Sequence, residues 1–189
     1  MTQSIDSFRT LLIDQVRELY DAERLLVGAL ADLAGCASAP SLAAFLQTRL
    51  TDTSAHLARL EEVFASLDVP AGASASSGVR GLIRDSERHM AEIFVSGPLR
   101  DASIAGLALQ FVHHGIAAYH TALSHAEVLG VDEVIQRLDA MLVDELSADR
   151  VLKHLTEHIA TPRRNEDFWD ADTTTDWPSS AGATSRRLH

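Results

Sequence analysis

The chain has 189 residues, of which 46% are hydrophobic, and its formal net charge at pH 7 is −11. This length fits one ordinary domain, and the negative charge argues against nucleic acid or an anionic membrane as a partner, because both need a basic face. One cysteine excludes an internal disulfide, and with no secretory leader pattern and no run of about 20 apolar residues we expect a soluble, cytoplasmic protein.

Two long amphipathic helices are predicted in the first part of the chain. The first lies between Ser4 and Ala34, and its apolar residues recur at the spacing of a helix that buries one stripe: Leu12, Val16, Leu19, Leu26 and Leu30. The second begins near Ser41 and ends before Pro70. Its apolar side carries Leu42, Phe45, Leu46, Leu57, Leu60, Val63, Phe64 and Leu67.

A linker of small residues follows at 71–78, and the next apolar segment is long enough for only one short helix, which we expect to cross the end of the molecule. Gly97 and Pro98 open a third long helix that runs to about Leu129. Gly130 separates it from a fourth long helix. The fourth helix is expected to run from Val131 to about Ile159.

The lengths of the connections predict an all-α fold. Short connections join the first two and the last two long helices into antiparallel hairpins, whereas a long crossover joins the hairpins, which is the connectivity of a ferritin-like four-helix bundle with a short fifth helix in the crossover. We assign residues 1–160 to this bundle. Residues 161–189 are polar and lack a helical period, so we interpret them as a mobile C-terminal tail. Three aromatic residues of this tail could instead hold it against the bundle or a protein partner: Phe168, Trp169 and Trp177.

Polar residues interrupt the buried stripes at about the same height in three helices. Glu23 takes the inward position between Leu19 and Leu26 in the first helix, where packing alone favours leucine. The second helix carries Arg49, Asp52 or Thr53, and His56 in its inward register. The fourth presents Glu145 and Asp149, with Asp144 on the shoulder.

Two interpretations of this level remain open. Carboxylates and a histidine that project inward at one height are typical of a di-metal carboxylate site. They are equally typical of a buried salt-bridge layer, in which Arg49 and His56 neutralise Glu23 and Glu145 without an ion.

Several stretches, in this order, resemble the YciE/YciF-type ferritin-like proteins, a bacterial stress-associated family: LYDAERLL, LTDTSAHLARLEEVF, GVRGLI, LRDASIAG, HGIAAYHTALSHAEVLG and VDELSAD. The likeness covers about residues 8–158. It implies a ferritin-like or rubrerythrin-like bundle, commonly a homodimer, with a di-metal centre that holds iron or manganese.

The resemblance also implies which metal ligands this chain keeps. The first-helix motif Asp-Ala-Glu is intact at residues 21–23. Where the second helix of the family shows His followed by Glu-Glu-Thr, this chain has Arg49, Thr51, Asp52 and Thr53, so one carboxylate is shortened and another is gone. His56 matches a position at which the family carries Gln or His, and the family's Asp-Glu-Glu on the fourth helix becomes Val143, Asp144 and Glu145.

The third long helix departs most from the family pattern. Where the family shows Glu-His-Tyr-Glu, this chain has Val112, His113, His114 and Gly115, so both carboxylates are missing. Val112 and Gly115 are three apart and share a face. The histidines of this helix, which also include His120 and His125, contain no pair spaced i, i+4, so we expect none of them to chelate an ion together.

These differences lead to the hypothesis that Arg49 replaces lost metal charge by pairing with Glu23 or Glu145, because a guanidinium cannot deprotonate to become a ligand. The expected function is then a stress-associated bundle with a degenerate di-metal site and a structural, non-redox role, in which iron or manganese binds weakly or not at all. The competing function is a metalloenzyme that oxidises Fe(II) or consumes peroxide, with its metal held by Glu23, Asp52, His56, Asp144 and Glu145. A third is an interaction module that binds a partner through the tail.

Overall fold

The computed structural model of the protein describes residues 5–160, and within this range every regular element is an α-helix. The five helices are α1 (Phe8–Cys36), α2 (Pro40–Ser66), α3 (Ser77–Glu92), α4 (Pro98–Leu129) and α5 (Asp132–Ala160). The prediction of an all-α chain is therefore confirmed. The predictions for the tail at 161–189, including those for Phe168, Trp169 and Trp177, lie outside the described residues.

The four long helices form the antiparallel bundle that the sequence predicts. Helix α1 packs against α2 and α4, and α5 packs against α4 and α2, so each long helix has two long neighbours. The connection between α1 and α2 is held at one end of the bundle by Asp101, in the first turn of α4, whose carboxylate accepts hydrogen bonds from the backbone N–H groups of Ser38 and Ala39 at 2.7 and 2.9 Å. None of the five helices is both long and apolar enough to span a membrane.

The short helix α3 does not cross the end of the bundle, contrary to the expectation from its length. It packs along the side of the bundle against α4 and α1. Its first turn lies against the middle of α4. Val79 is fully buried there, and Gly78 is so close to α4 that an added Cβ atom would lie 3.2 Å from Cε1 of His114. Burial of this one apolar turn and hydrogen bonds to Asp21 fix the path of the crossover.

Two apolar clusters fill the interior of the bundle. The first is built from the C-terminal half of α1, the N-terminal half of α2, the N-terminal half of α4 and the C-terminal half of α5, and it also takes in Val79 of α3. The second is built from the opposite half of each long helix. Between the two clusters lies a level at which every long helix except α4 presents charged groups to the interior.

The buried carboxylate of Asp21 ties the crossover to α1. It accepts hydrogen bonds from the backbone N–H of Ser76 at 3.0 Å and from the guanidinium groups of Arg80 at 2.7 Å and Arg24 at 2.9 Å. Burial alone would raise the pKa of Asp21, but these hydrogen bonds outweigh it and hold the pKa below its ordinary value.

We expect Asp21→Asn to lower the free energy of unfolding by about 1–3 kcal/mol, because the amide replaces an ionic acceptor of three hydrogen bonds with a weaker, partly mismatched one. Urea denaturation at neutral pH measures this change. The matched control is Asp32→Asn, an exposed aspartate on the same helix, for which we expect a change within about 0.5 kcal/mol. Equal losses in the two variants would contradict the assignment. Because the folded pKa of Asp21 is depressed, the difference should shrink as the pH falls through and below the ordinary value of 3.8.

Candidate functional site

A polar layer separates the two apolar clusters. We define it by its buried members, each at most 5% exposed: Glu23 from α1, Arg49, Thr53 and His56 from α2, Tyr119 from α4, and Glu145 from α5. Glu23, Arg49, His56 and Glu145 are the inward polar positions that the sequence indicates, and the fold brings all four together.

One half of the polar layer is a hydrogen-bonded group on α1, α2 and α4. The hydroxyl of Tyr119 donates to Oε1 of Glu23 at 2.6 Å. Nδ1 of His56 lies 3.2 Å from the same oxygen, and the rings of His56 and Tyr119 meet edge to face with centroids 5.7 Å apart. Glu23 is therefore held by two neighbours through one oxygen. Its second oxygen, Oε2, is buried without a hydrogen-bond partner among the described residues.

The other half of the polar layer is an ion pair between α2 and α5. The guanidinium of Arg49 donates through Nη2 to Oε1 of Glu145, and the two side chains are 6% and 3% exposed. The Glu145 side chain reaches across to α4, where a Cβ atom added to Gly115 would lie 3.0 Å from Oε2 of Glu145. A residue larger than glycine at this position would therefore require the glutamate to move.

The remaining two predicted site residues, Asp52 and Asp144, lie at the rim of the polar layer. Their side chains are 39% and 40% exposed. Oδ2 of Asp144 accepts from Nη1 of Arg59 at 2.7 Å and lies 3.2 Å from Nε2 of His56, whereas Oδ2 of Asp52 lies 3.6 Å from Nη1 of Arg49. Both carboxylates thus face basic groups and water at once.

Burial and close charges shift the pKa values of the layer. Burial raises the pKa of Glu145 to about 7, with the charge of Glu23 acting in the same direction and the guanidinium of Arg49 opposing both. Burial alone would lower the pKa of His56, but the hydrogen bond and charge of Glu23 outweigh it and raise the pKa. Burial also raises the pKa of Tyr119 well above its ordinary value, so this side chain remains a hydrogen-bond donor at neutral pH.

A group of possible metal ligands lies within this layer. One ligand atom each from Glu23, His56 and Glu145 fall within 4.8 Å of one another, the one such group of three found among residues 5–160. Carboxylate and imidazole suit iron and manganese. The guanidinium of Arg49, however, holds Glu145, so it competes directly with any cation for that carboxylate.

The layer does not fit a pair of metal ions. Two divalent ions carry four positive charges, whereas the buried part of the layer provides two carboxylates and already contains the fixed positive charge of Arg49. In di-metal bundles every one of the four helices contributes a carboxylate. Here α4 contributes none, because the two positions that face the interior near Glu145 are Val112 and Gly115.

The histidines of α4 lie outside the polar layer. His113 is exposed and pairs with Asp149 at 2.8 Å on the outer side of α4 and α5, so Asp149 is not an inward residue of the site as the sequence suggested. His114 packs against Gly78 of α3, and burial lowers its pKa. His120 is exposed, and His125 stacks near Phe8 with ring centroids 6.2 Å apart.

Sequence reasoning missed two parts of the arrangement. These are the hydrogen bond from Tyr119 to Glu23 and the pairing of Arg59 with Asp144 at the rim. The position of Tyr119, four residues and about one helical turn after Gly115, was the available signal.

Comparison with known proteins places the chain among bacterial helical bundles. Protein YciF of Escherichia coli K12 is 26% identical over 153 residues, covering 80% of this chain and 92% of YciF. The crystal structure of YciF, described as an E. coli stress protein, matches with a TM-score of 0.78 and 26% identity over 82% of this chain and 98% of that chain. YcfI from Rhodopseudomonas palustris, described as a candidate structural protein, matches with a TM-score of 0.78 and 28% identity over 81% of this chain and 97% of that chain.

A more distant match supports the fold alone. Ferritin-like, diiron-carboxylate proteins from Bacillus anthracis align with a TM-score of 0.61 and 17% identity over 80% of this chain and 99% of that chain. The ferritin-like architecture predicted from the connections is thereby confirmed. The profile of one family, described as a domain of unknown function (DUF892), matches residues 7–164. The resemblance of its motifs to YciF-type proteins is confirmed by the similarity to YciF. Because the family match covers most of the sequence, the chain belongs to that family.

Proposed function

We propose that the protein is a stress-associated structural bundle in which an internal ion-pair layer takes the place of a di-metal centre. The observation that carries this proposal is the position of Arg49. Its guanidinium occupies the interior among Glu23, His56 and Glu145 and donates to the carboxylate that a metal would need. The proposed role is structural and non-redox, because Arg49 holds a carboxylate that a metal ion would need.

Charge balance supports the same proposal. Arg49 and a protonated His56 bring two positive charges to a layer whose buried carboxyl groups are two, Glu23 and Glu145, so the layer has no excess of carboxylates that would require an ion. The cost of burying these polar groups is offset by their mutual attraction and hydrogen bonds. A metal-holding layer would instead need more carboxylates, and α4 lacks them at Val112 and Gly115.

The names of the relatives are consistent with this role. YciF is described as a stress protein, and YcfI as a candidate structural protein. We extend these two roles to this chain as part of the proposal, together with a cytoplasmic location and a homodimeric state. A light-scattering mass equal to one chain would contradict the homodimer.

A second candidate function rests on the three ligand atoms that lie within 4.8 Å of one another. If Arg49 released Glu145, then Glu23, His56 and Glu145 could hold one iron or manganese ion, with Asp144 and Asp52 at the rim. Such an ion would supply ferrous oxidation or peroxide chemistry. The two functions differ in metal content and in the effect of removing Arg49.

The first expectation concerns metal binding. Protein purified from iron- and manganese-supplemented cells should contain less than about 0.1 ion per chain, because Arg49 repels cations and occupies Glu145. Arg49→Gln should raise the affinity for Mn²⁺ at least about tenfold, since it removes this charge. Elemental analysis and titration calorimetry measure both quantities. Adding Glu23→Gln to the Arg49 variant should abolish the gain, and two tightly held ions in the wild type would overturn the proposal.

The second expectation concerns the stability of the ion pair. Arg49→Met should lower the free energy of unfolding by about 3–5 kcal/mol, because it leaves Glu145 buried without its partner. The double variant Arg49→Met/Glu145→Met should recover most of this loss, since it removes both charges. Urea denaturation of the two single variants and the double variant completes the cycle. Additive losses would show that the two side chains do not interact.

The third expectation concerns pH. Both His56 and Glu145 have raised pKa values, so the folded chain holds their protons more tightly than the unfolded chain does. Their stabilising effect is complete below the unfolded values of about 4.5 for Glu145 and 6.5 for His56, and it is lost as the pH rises through the folded values. The free energy of unfolding should therefore fall between about pH 5 and pH 8.

Two variants isolate the contribution of His56. His56→Gln should flatten the decline above about pH 6.5, because the titrating group is gone. His120→Gln, at an exposed position on α4, should leave the profile unchanged. Chemical denaturation across the pH range gives the profiles, and a wild-type stability that rises over this interval would refute the assigned directions.

A further inference from the structure

A pair of histidines lies on the outer surface of α5, near the end of the helix. His154 and His158 are four positions apart, so their side chains lie on one face of the helix, one turn from each other. Both residues are exposed, and their ring centroids are 4.2 Å apart at an interplanar angle of 62°. Among the histidines of residues 5–160, no other pair has this spacing.

The helix backbone orients the ring of His158. Nδ1 of this ring lies 2.7 Å from the carbonyl oxygen of His154. A carbonyl oxygen can only accept a hydrogen bond, so Nδ1 carries the hydrogen, and in the neutral imidazole the lone pair is then on Nε2. Metal-binding histidines commonly donate their second nitrogen to a backbone carbonyl or a carboxylate in this way, because the bond fixes both the tautomer and the direction of the ligand nitrogen.

The separation of the two rings suits one shared ion. Bonds from zinc to histidine nitrogen are about 2.0–2.1 Å long, so two nitrogens on one tetrahedral ion lie about 3.3 Å apart. Rings whose centroids are 4.2 Å apart can present nitrogens at that distance with little side-chain movement. Two histidines at positions i and i+4 on one helix face are also an established pair of zinc ligands.

This histidine pair is separate from the polar layer. His154 comes nine residues after Glu145, which is about 14 Å along a helix at 1.5 Å per residue, so one ion cannot contact both side chains. The net charge of −11 attracts cations to the surface as a whole. The imidazoles select among these cations, because nitrogen ligands favour Zn²⁺, Ni²⁺ and Cu²⁺, whereas Mg²⁺ and Ca²⁺ prefer oxygen.

We propose that His154 and His158 form a surface binding site for one zinc ion or a similar nitrogen-preferring divalent ion. Nε2 of His158 and one ring nitrogen of His154 coordinate the ion, and water molecules complete its shell. A bound ion links the last two turns of α5 and opposes fraying of the helix at its end, because binding stabilises the folded form of the ligands. This inference stands whether or not the polar layer binds a metal.

Zinc titration of the untagged, EDTA-treated full-length protein tests this site. Calorimetry at neutral pH should show binding of one ion per chain, which an excess of Mg²⁺ does not displace. His154→Gln and His158→Gln should each weaken zinc binding at least about tenfold, because a single imidazole retains only one bond to the ion. The matched control is His120→Gln, which removes an exposed histidine of α4 that has no histidine four positions away, and it should leave the affinity unchanged.

Heteronuclear NMR of the histidine rings identifies the coordinating atoms. On addition of zinc, Nε2 of His158 should move to the chemical shift of a metal-bound nitrogen, while Nδ1 remains protonated because it donates to the backbone. The proposal is overturned if His158→Gln binds zinc as tightly as the wild type, or if the rings of His154 and His158 do not respond to zinc. It is also overturned if His158 binds through Nδ1, or if the response is confined to His56, which would assign the ion to the polar layer.

Discussion

The ion pair between Arg49 and Glu145 is the interaction on which the centre of this bundle depends. Charged side chains at 6% and 3% exposure lose most of their hydration, and only close opposite charges and hydrogen bonds offset that loss. The pair joins α2 to α5, and the contacts of Glu23 with His56 and Tyr119 join α1 to α2 and α4. Sliding any long helix by one turn would separate these groups, so the layer fixes the relative heights of all four helices.

Under the proposed function, the same pair also opposes metal binding in the interior. A metal ion is exchangeable, gathers several carboxylates and can change its oxidation state, whereas a guanidinium is covalently fixed, remains positively charged and offers only hydrogen-bond donors. The guanidinium of Arg49 donates a hydrogen bond to Oε1 of Glu145 and so fixes the orientation of that carboxylate. The chain thus has the ferritin-like architecture, and in the proposed function one side chain, Arg49, competes with a metal ion for Glu145.

Much of the fold and part of the site could be predicted from the sequence, because helical periodicity assigns each residue to a face. Glu23, His56 and Glu145 stand at positions where leucine would continue the apolar stripe, so the sequence identifies them as buried polar residues. Periodicity does not reveal which neighbouring helix a long side chain reaches, so Arg49 could be assigned to either Glu23 or Glu145. The inward assignment of Asp149 is wrong for a related reason. A rotation of 100° per residue leaves shoulder positions ambiguous, and this residue pairs with the exposed side chains of His113 and Lys153 instead of joining the polar layer. The path of α3 depends on the hydrogen bonds from Ser76 and Arg80 to Asp21. Helical periodicity cannot predict these contacts, because the partners are far apart in the sequence.

Gly115 does more than leave this position of α4 without a carboxylate. Its missing side chain leaves the space into which Glu145 extends, since a Cβ atom there would lie 3.0 Å from both Cδ and Oε2 of that glutamate. A carboxylate restored at this position would crowd Glu145 and add a negative charge beside Glu23, while Arg49 still held the opposite oxygen. The glycine, the glutamate and the arginine therefore form one coupled arrangement, and a change to any of them alters what the other two can do. For that reason we expect that no single substitution would create a binuclear ligand set in this interior.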